Sequence, residues 1–359
     1  MKLLLFILIA LVALAVLYVL GNIVFAALTR FNPDHELPLK AEKKYSSQKE
    51  IDNKLPNDST KTYKILIWNI GYGGLGAEAD FFYDGGKMVV SPKEWVLRYN
   101  EGIQDFLKNC DADFILLQEV DTAGRRSHYI NQKEKIASAL PEYYSAFAVN
   151  YDVRFVPVPY TNPMGRVLGG LQSLSRYYPT ECKRIQLPNK EDFPDKLFYL
   201  QRCLLLQRFP IAESNKDLIV INTHFEAYDK GEIKKKQMDF TRKILLDEYN
   251  KGNFVVLGGD WNICPPGIDP YKFAKEPESD YLNANADENY ILGWKYAYDP
   301  SKGTNRKNKT PFDPQKSFTT VIDYFFVSPN IDVLNVNTID LGFRFSDHQP
   351  VLLEMKLKN

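Results

Sequence analysis

Only four histidines occur in this chain, and two of them, His224 and His348, stand among carboxylates and amides at the ends of apolar runs. Read in order, the residues so placed are Asn69, Glu119, His224, Asp260 with Asn262 two positions on, Asp323, and the pair Asp347-His348. Side-chain oxygens bind hard cations, and imidazoles gain or lose a proton near neutral pH. Singly, each has an ordinary explanation. Glu119 could be a strand-terminal carboxylate meeting solvent, and His224 a satisfied structural histidine. Asp260-Trp261-Asn262 could form an Asx turn, and Asp347-His348 before Pro350 a turn with an incidental pair. The recurrence argues for one polar cluster assembled from distant segments.

Such a cluster needs elements that carry these residues to one place. Tyr63 to Asn69 is a short apolar run closing on Asn69, Gly71 and Gly73-Gly74, which suits a buried strand and a loop. Ser91-Pro92-Lys93-Glu94 reads as a helix start, with Ser91 as cap, Pro92 at the first helical position and Glu94 completing a capping box. Trp95, Tyr99, Ile103, Phe106 and Leu107 then share one apolar helical face. Phe114-Ile115-Leu116-Leu117 is the next strand, ending in Gln118-Glu119. Leu218 to Ile221 ends at Asn222-Thr223-His224, and Phe254 to Leu257 ends at Gly258-Gly259-Asp260. Between them, Ile233, Gln237, Phe240, Ile244 and Leu245 trace a helical stripe, with Lys234 to Lys236 outside it. Val321 to Val327 and Val351 to Leu357 read as further strands, the last alternating so that one face meets solvent. Continuous apolar strands interspersed with helices predict a layered α/β or α+β domain, with chemistry at the strand ends.

On these residues the chain resembles the endonuclease/exonuclease/phosphatase superfamily. The matching segments are Ile67-Trp68-Asn69-Ile70, Leu117-Gln118-Glu119-Val120, Asn222-Thr223-His224, Gly259-Asp260-Trp261-Asn262, Ile322-Asp323-Tyr324 and Ser346-Asp347-His348-Gln349-Pro350. Leu174-Ser175-Arg176 is a further match. The resemblance covers residues 62–357 and implies a four-layer α/β sandwich, two mixed sheets flanked by helices. It also implies a phosphodiester hydrolase using Mg²⁺, with Mn²⁺ or Ca²⁺ as alternatives. By similarity, Glu119 is the principal metal ligand, with Asn69 and Asp347 in or near the coordination sphere and Asn69 able to act through water. His348 faces the scissile phosphate, as base or as cation, and Asp323 bonds it and raises its pKa. Asp260 orients or deprotonates the attacking water, and Asn262 donates to a phosphate oxygen. His224 neutralises charge or protonates the leaving oxygen.

In DNA-repair members of that superfamily an acidic residue stands where this chain has Gly71, and a tyrosine often stands where it has His224. His224 resembles instead the pancreatic-type deoxyribonucleases and the bacterial sphingomyelinases. Nuclease-like action on DNA or RNA is therefore expected. A phospholipid or inositol-phosphate phosphodiesterase is the alternative, and a non-catalytic, membrane-tethered binding module is the alternative of another class. The aromatics of Asp80 to Gly86 could contact a base or a head group, or simply pack. The loop Ser301 to Ser317, with Lys302, Arg306, Lys307, Lys309 and Lys316, could attract a polyanion, or be a solvated loop.

Leu3 to Leu28 is apolar apart from Gly21 and Asn22, and is longer than the roughly 20 residues a bilayer needs. It reads as an uncleaved transmembrane anchor at residues 1–30, with a cleaved signal as the alternative. Residues 31–61, with Pro33, Pro38 and Pro56 and mixed charges, read as a flexible tether to a catalytic domain at 62–359. The catalytic domain is expected outside the cytoplasm, although the positive residues after the span mildly oppose that orientation. The 359 residues are 45% apolar and 25% charged, as in folded globular chains. Positive and negative residues balance at 45 each, and residues 1–61 hold eight and six of them, so the remainder is two units negative. That does not favour a dedicated non-specific nucleic-acid binder. Cys110, Cys182, Cys203 and Cys264 match no zinc spacing; Cys182 and Cys203 could pair in an oxidising compartment, but free thiols are expected. Nothing points to an obligate protein partner, and a monomer is expected.

Overall fold

A computed structural model describes residues 1–43, 54–227, 231–273 and 285–358. Helix α1 (Lys2–Leu28) is followed by strands β1 (Glu36–Leu39) and β2 (Tyr63–Asn69), helix α2 (Lys93–Asn109), β3 (Phe114–Asp121) and α3 (Gln132–Ala139). Five strands come next: β4 (Tyr144–Val156), β5 (Gly165–Ser175), β6 (Glu181–Gln186), β7 (Cys203–Pro210) and β8 (Asp217–His224). After α4 (Glu232–Asn250) come β9 (Phe254–Asp260), β10 (Lys295–Ala297), β11 (Asn305–Arg306) and β12 (Thr319–Thr320). The last are β13 (Asp323–Val327), β14 (Ile331–Thr338) and β15 (Val351–Leu357).

These strands build a seven-stranded sheet, β1-β6-β7-β8-β9-β13-β10, and a six-stranded sheet, β14-β15-β2-β3-β5-β4, with β11-β12 as a separate pair. Both sheets are mixed, since β2–β3 and β8–β9 are parallel and the other pairings antiparallel. The apolar runs explain the layering. Alternate residues point to opposite faces of a strand, so Ile65, Ile67, Phe114 and Leu116 meet Leu218, Val220, Val256 and Phe325 in a core between the sheets. Leu66, Trp68, Ile115 and Leu117 face outward onto Ile103, Leu107 and Ile136 of α2 and α3. Ile219, Ile221, Val255 and Leu257 face Met238 and Leu245 of α4. The expected four-layer α/β sandwich is the observed fold.

Three local expectations need correction. Ser91 does not cap α2: Pro92 occupies the cap position, and Ser91 Oγ donates instead to the Gly74 carbonyl, 2.6 Å away. The buried face of α4 runs through Lys234, Gln237, Met238, Thr241 and Leu245. Lys234 therefore lies inside the stripe, and only Lys235 and Lys236 are exposed. Residues 31–61 were expected to be a tether, but β1 extends the seven-stranded sheet, pairing Glu36 with Ile185 through Leu39 with Cys182. Leu55 is fully buried and bridges to Ile211. The sandwich thus begins well before residue 62; residues 44–53 of the expected tether, and Lys230, lie outside the described residues.

The four cysteines are free thiols. Cys182 and Cys203 lie on adjacent strands but pair with Gln207 and Gln186, four positions apart in register, well beyond the roughly 7 Å limit for bridging Cα atoms.

Candidate active site

The inner faces of the sheets change from apolar to polar at one end, and the site is that end. On β2 the inward series Ile65, Ile67 finishes in Asn69; on β8 Leu218, Val220, Asn222 finishes in His224; on β9 Phe254, Val256, Gly258 finishes in Asp260. Asp323 begins β13, ahead of inward Phe325 and Val327. Register then sets His224 beside Asp260 and Asp260 beside Asp323, on three adjacent strands. In the facing sheet, Asn69 pairs with Gln118. Just behind the site the sheets are tied by buried amides: Gln118 Nε2 donates to Asn222 Oδ1 at 2.7 Å, and Asn222 Nδ2 to the Leu117 carbonyl at 3.1 Å.

Simple alternation would point Glu119 outward with Ile115 and Leu117. A register shift between Leu117 and Val120 breaks the β3–β5 ladder there, and Glu119 has φ of 53°, in the left-handed region. Such bulges re-aim side chains, and such strain in a non-glycine residue persists only where its surroundings enforce it. Here it turns the carboxylate to the site, where Asn69 Nδ2 meets Glu119 Oε1 at 3.3 Å.

Asp260 Oδ2 is the hub. Asn69 Nδ2 donates to it at 3.0 Å, His224 Nε2 lies 3.4 Å away and His348 Nε2 3.7 Å away. His348 Nδ1 bonds Asp323 Oδ2 at 2.8 Å, and the Asn305 amide meets His348 Nε2 at 3.0 Å. Burial opposes a charged His348, but the charges of Asp323 and Asp260 outweigh it and push its pKa up to about 10. His224 goes the other way. Burial, then the positive charges of Arg202 and His348, holds it well below its ordinary value, so the imidazole is neutral. A neutral imidazole can offer an N–H hydrogen bond but holds no acidic proton. Burial raises the Asp260 carboxyl to about 6, which keeps a proton acceptor poised near neutrality.

Asp347 completes the set. Its Oδ2 accepts from Asn308 Nδ2 at 2.6 Å and its Oδ1 from Ser346 Oγ at 3.2 Å. Gly71 makes room for it: at φ of 50°, a Cβ there would stand 2.7 Å from Asp347 Oδ1. Glu119, Asp260, Asp347, both histidines, Asn262, Asn305 and Asn308 all line one cleft of about 1630 Å³.

Both site asparagines of the expected set are held by local hydrogen bonds. Asn69 turns its amide nitrogen to Glu119 and Asp260, while its Oδ1 accepts from Gly71 N at 3.0 Å. Its amide nitrogen thus faces both carboxylates. Asn262, at φ of 51°, uses one amide N–H on the Phe225 carbonyl at 3.0 Å and its backbone N–H on Asp260 Oδ1 at 2.9 Å. One amide N–H remains to face the cleft. The Leu174-Ser175-Arg176 match lies elsewhere: Ser175 pairs with Phe114, at the opposite end of β3 from Glu119, and Arg176 bonds Asp111 and Tyr143.

The sequence reading missed Arg126, Tyr72, Asn305, Asn308 and Lys234. Arg126 is buried, bonds Asp121 through both Nε and Nη2, reaches Glu119 Oε2 at 3.9 Å, and lies 4.0 Å above the Tyr72 ring. The adjacent arginines Arg125-Arg126, six residues past Glu119, were the one available signal. The other four sit on loops, on the two-residue strand β11 or on a helix whose face was misjudged, and Lys234 Nζ bonds the Asn262 carbonyl. In the basic loop, Arg306 is fully buried and donates to the Leu75, Gly76 and Ala79 carbonyls, so it braces the loop; Lys307 and Lys309 line the cleft. Phe81 and Phe82 pack in a small apolar cluster, while Tyr83 faces the cleft, half exposed.

The donor set fits a hard divalent cation. Glu119 and Asp347 repel each other across the cleft, and burial raises the Glu119 pKa further, so a cation between them would relieve both effects. Asp260, Asp323 and His348 also bring ligand-type atoms within 4.8 Å of one another. There, however, Asp323 and His348 already satisfy each other at 2.8 Å.

A two-sheet sandwich with a carboxylate–imidazole cluster at one end defines a class, the phosphoester-hydrolase fold. Residues 66–348 match the Endonuclease/Exonuclease/phosphatase family, and the chain belongs to it. An endonuclease/exonuclease/phosphatase from Beutenbergia cavernae DSM 12333 is similar at 18% identity and a TM-score of 0.57, over 83% of this chain and 72% of that one. ANGEL2, a 2′,3′-cyclic phosphatase, is similar at 14% identity and 0.55, over 90% and 99%. The human Nocturnin catalytic domain with bound sulfate is similar at 17% identity and 0.51, over 83% and 95%. No curated protein matches the chain in sequence.

Proposed function

We propose that this chain is a divalent-cation-dependent phosphodiester hydrolase of the deoxyribonuclease/sphingomyelinase-like kind, held at a membrane by α1. One observation carries the reading: a single carboxylate oxygen, Asp260 Oδ2, lies within 3.7 Å of two imidazole nitrogens and within 3.0 Å of the amide that also holds Glu119. Phosphoryl transfer needs charge stabilisation, an aligned water and a proton route more than covalent help from the protein. A Mg²⁺ ion held by Glu119 and Asp347 would supply the charge stabilisation. Asp260, poised near neutrality, orients the water and accepts its proton. His348, kept cationic by Asp323, faces the developing phosphate charge. Neutral His224 offers an N–H hydrogen bond to a phosphate oxygen, with Asn262 as an amide donor. Arg126 braces Glu119 through its electrostatic contact.

The test is hydrolysis of bis(p-nitrophenyl) phosphate by purified protein with Mg²⁺. Turnover is expected to vanish with chelator and to fall about 10³-fold in Glu119→Ala, in line with the loss of a transition-state charge stabiliser. A protein that hydrolyses neither diesters nor monoesters would leave the binding-module reading in its place.

A further inference from the structure

We propose that the cleft opens onto a bilayer surface, and that its substrate is a membrane lipid whose phosphodiester head group enters from that surface. This rests on the phosphodiesterase reading above and narrows its substrate.

The anchor helix is itself a wall of the cleft. Tyr18, Val19, Asn22 and Ile23 of α1 line the same space as Glu119, Asp260 and His348. At 1.5 Å per residue, the 27 residues of α1 measure about 40 Å. A hydrocarbon core takes about 30 Å, or roughly 20 residues. Counted from Leu3, such a span ends at Asn22, the first polar amide in the run. Tyr18, one turn earlier, has the amphipathic ring favoured at the head-group level. A bilayer holding α1 would therefore place its surface at the cleft wall.

The leash is short. Glu36 is already paired into the seven-stranded sheet, and the His35 carbonyl accepts from Gln186 N at 2.8 Å. The His35 ring also packs edge-on against Phe240, at 5.4 Å. Only Thr29 to Asp34 separate the helix from the sandwich, and those residues reach about 20 Å at full extension. The domain cannot lift far from the bilayer.

The rim suits that surface. Outside α1, the large apolar side chains exposed among the described residues are Tyr83, Leu97, Tyr129, Tyr160, Phe193, Leu292 and Leu334. Tyr83 and Tyr160 line the cleft, and Phe193 precedes Pro194, which also lines it. Tyr160 is 70% and Phe193 65% exposed. Aromatic rings of this kind settle at bilayer interfaces. Val156, Val158, Met164 and Phe198 give apolar wall, and Lys190, Lys235, Lys307 and Lys309 give cationic wall, interleaved with Asp84, Asp195, Asp239 and Asp287. Apolar contact for a lipid and positive charge for its phosphate thus lie on the way to the carboxylate–imidazole floor. In the reaction, the water hydroxyl goes to phosphorus, the bond from phosphorus to the lipid alcohol oxygen breaks, and the water proton ends on that oxygen. No other reactant is needed.

The experiment places the full chain, with Mg²⁺, in nanodiscs of phosphatidylcholine, phosphatidylglycerol and sphingomyelin. Released phosphorylated head group is measured beside bis(p-nitrophenyl) phosphate and a single-stranded oligonucleotide. Head-group release is expected. Inserting about twelve Gly/Ser residues after Arg30 triples the leash and should slow that release about fivefold through effective concentration, leaving the soluble diester unaffected. The added fluorescence of Phe193→Trp should be quenched by brominated phosphatidylcholine. Oligonucleotide cleavage without head-group release overturns the proposal and leaves the hydrolase reading intact. So does head-group release indifferent to the insertion, or absent quenching in Phe193→Trp. Failure of all three substrates instead overturns the hydrolase reading.

Discussion

The two ends of the sandwich both gather charge, and they treat it in opposite ways. At the far end, Arg208 bonds Glu181, Asp217 and Glu248, each at 3.0 Å, and Lys251 and Asn253 add further donors to Glu248. Every carboxylate there has a donor in place. At the cleft end, Glu119, Asp260, Asp323 and Asp347 share few cations, and buried atoms are left without partners among the described residues, including His224 Nδ1, Asp323 Oδ1 and Asn308 Oδ1. Unpaired polar groups are expensive to bury, so they persist where a ligand completes them. The paired end holds the fold together; the unpaired end is kept for chemistry.

Substitutions at the two ends should therefore separate activity from stability. His348→Ala is expected to lower diester turnover about 10³-fold, the upper part of the range for a positioned acid–base or charge-stabilising group, and to lower the melting temperature as well, because it strips buried Asp323 and Asp260 of their cation. Steady-state kinetics beside thermal melts check this. Gly71→Asp installs the acid found in repair-type relatives, at φ of 50° and against Asp347. It should destabilise by about 1–3 kcal/mol and also reduce turnover, because it strains the backbone and displaces Asp347 together. Arg208→Met should cost about 1–2 kcal/mol by leaving partly exposed Glu181 and Asp217 and buried Glu248 facing each other, while turnover stays near wild type. Denaturant melts decide that case. The smallest effect is acid sensitivity. Burial would raise the Glu248 carboxyl, but bonds from Arg208, Lys251 and Asn253 outweigh it and hold it down to about 2, below its ordinary 4.5. A folded-state pKa lowered in this way contributes stability that is full above pH 4.5 and is lost as pH falls toward 2. Glu248→Gln should flatten the melting temperature across that window.

The same contrast explains what the sequence disclosed. Residues that finish an apolar inward series, such as Asn69, His224 and Asp260, were legible, because a polar residue breaking a buried period needs a reason. Asp347-His348 was legible through its short motif. Asn305 and Asn308 were not, since they reach the site from the two-residue strand β11 and the loop after it, whose neighbouring residues follow no period. Lys234 was hidden because the apolar stripe of α4 was read one residue off, through Ile233 instead of Lys234. The edge strand Glu36–Leu39 was hidden by its proline and its short, half-exposed pattern, which an edge position tolerates. The Glu119 carboxylate reaches the cleft from the strand end where it was expected, yet the bulge that aims it is a tertiary feature with no local signature.

Calorimetric titration of Mg²⁺ into the purified chain bears most directly on the claim that the two charge clusters differ in kind. One saturable binding event is expected in the wild type and in Arg208→Met, and none in Glu119→Ala. Equal heats in Glu119→Ala and the wild type would mean that the cleft end does not hold the cation on which the proposed chemistry depends.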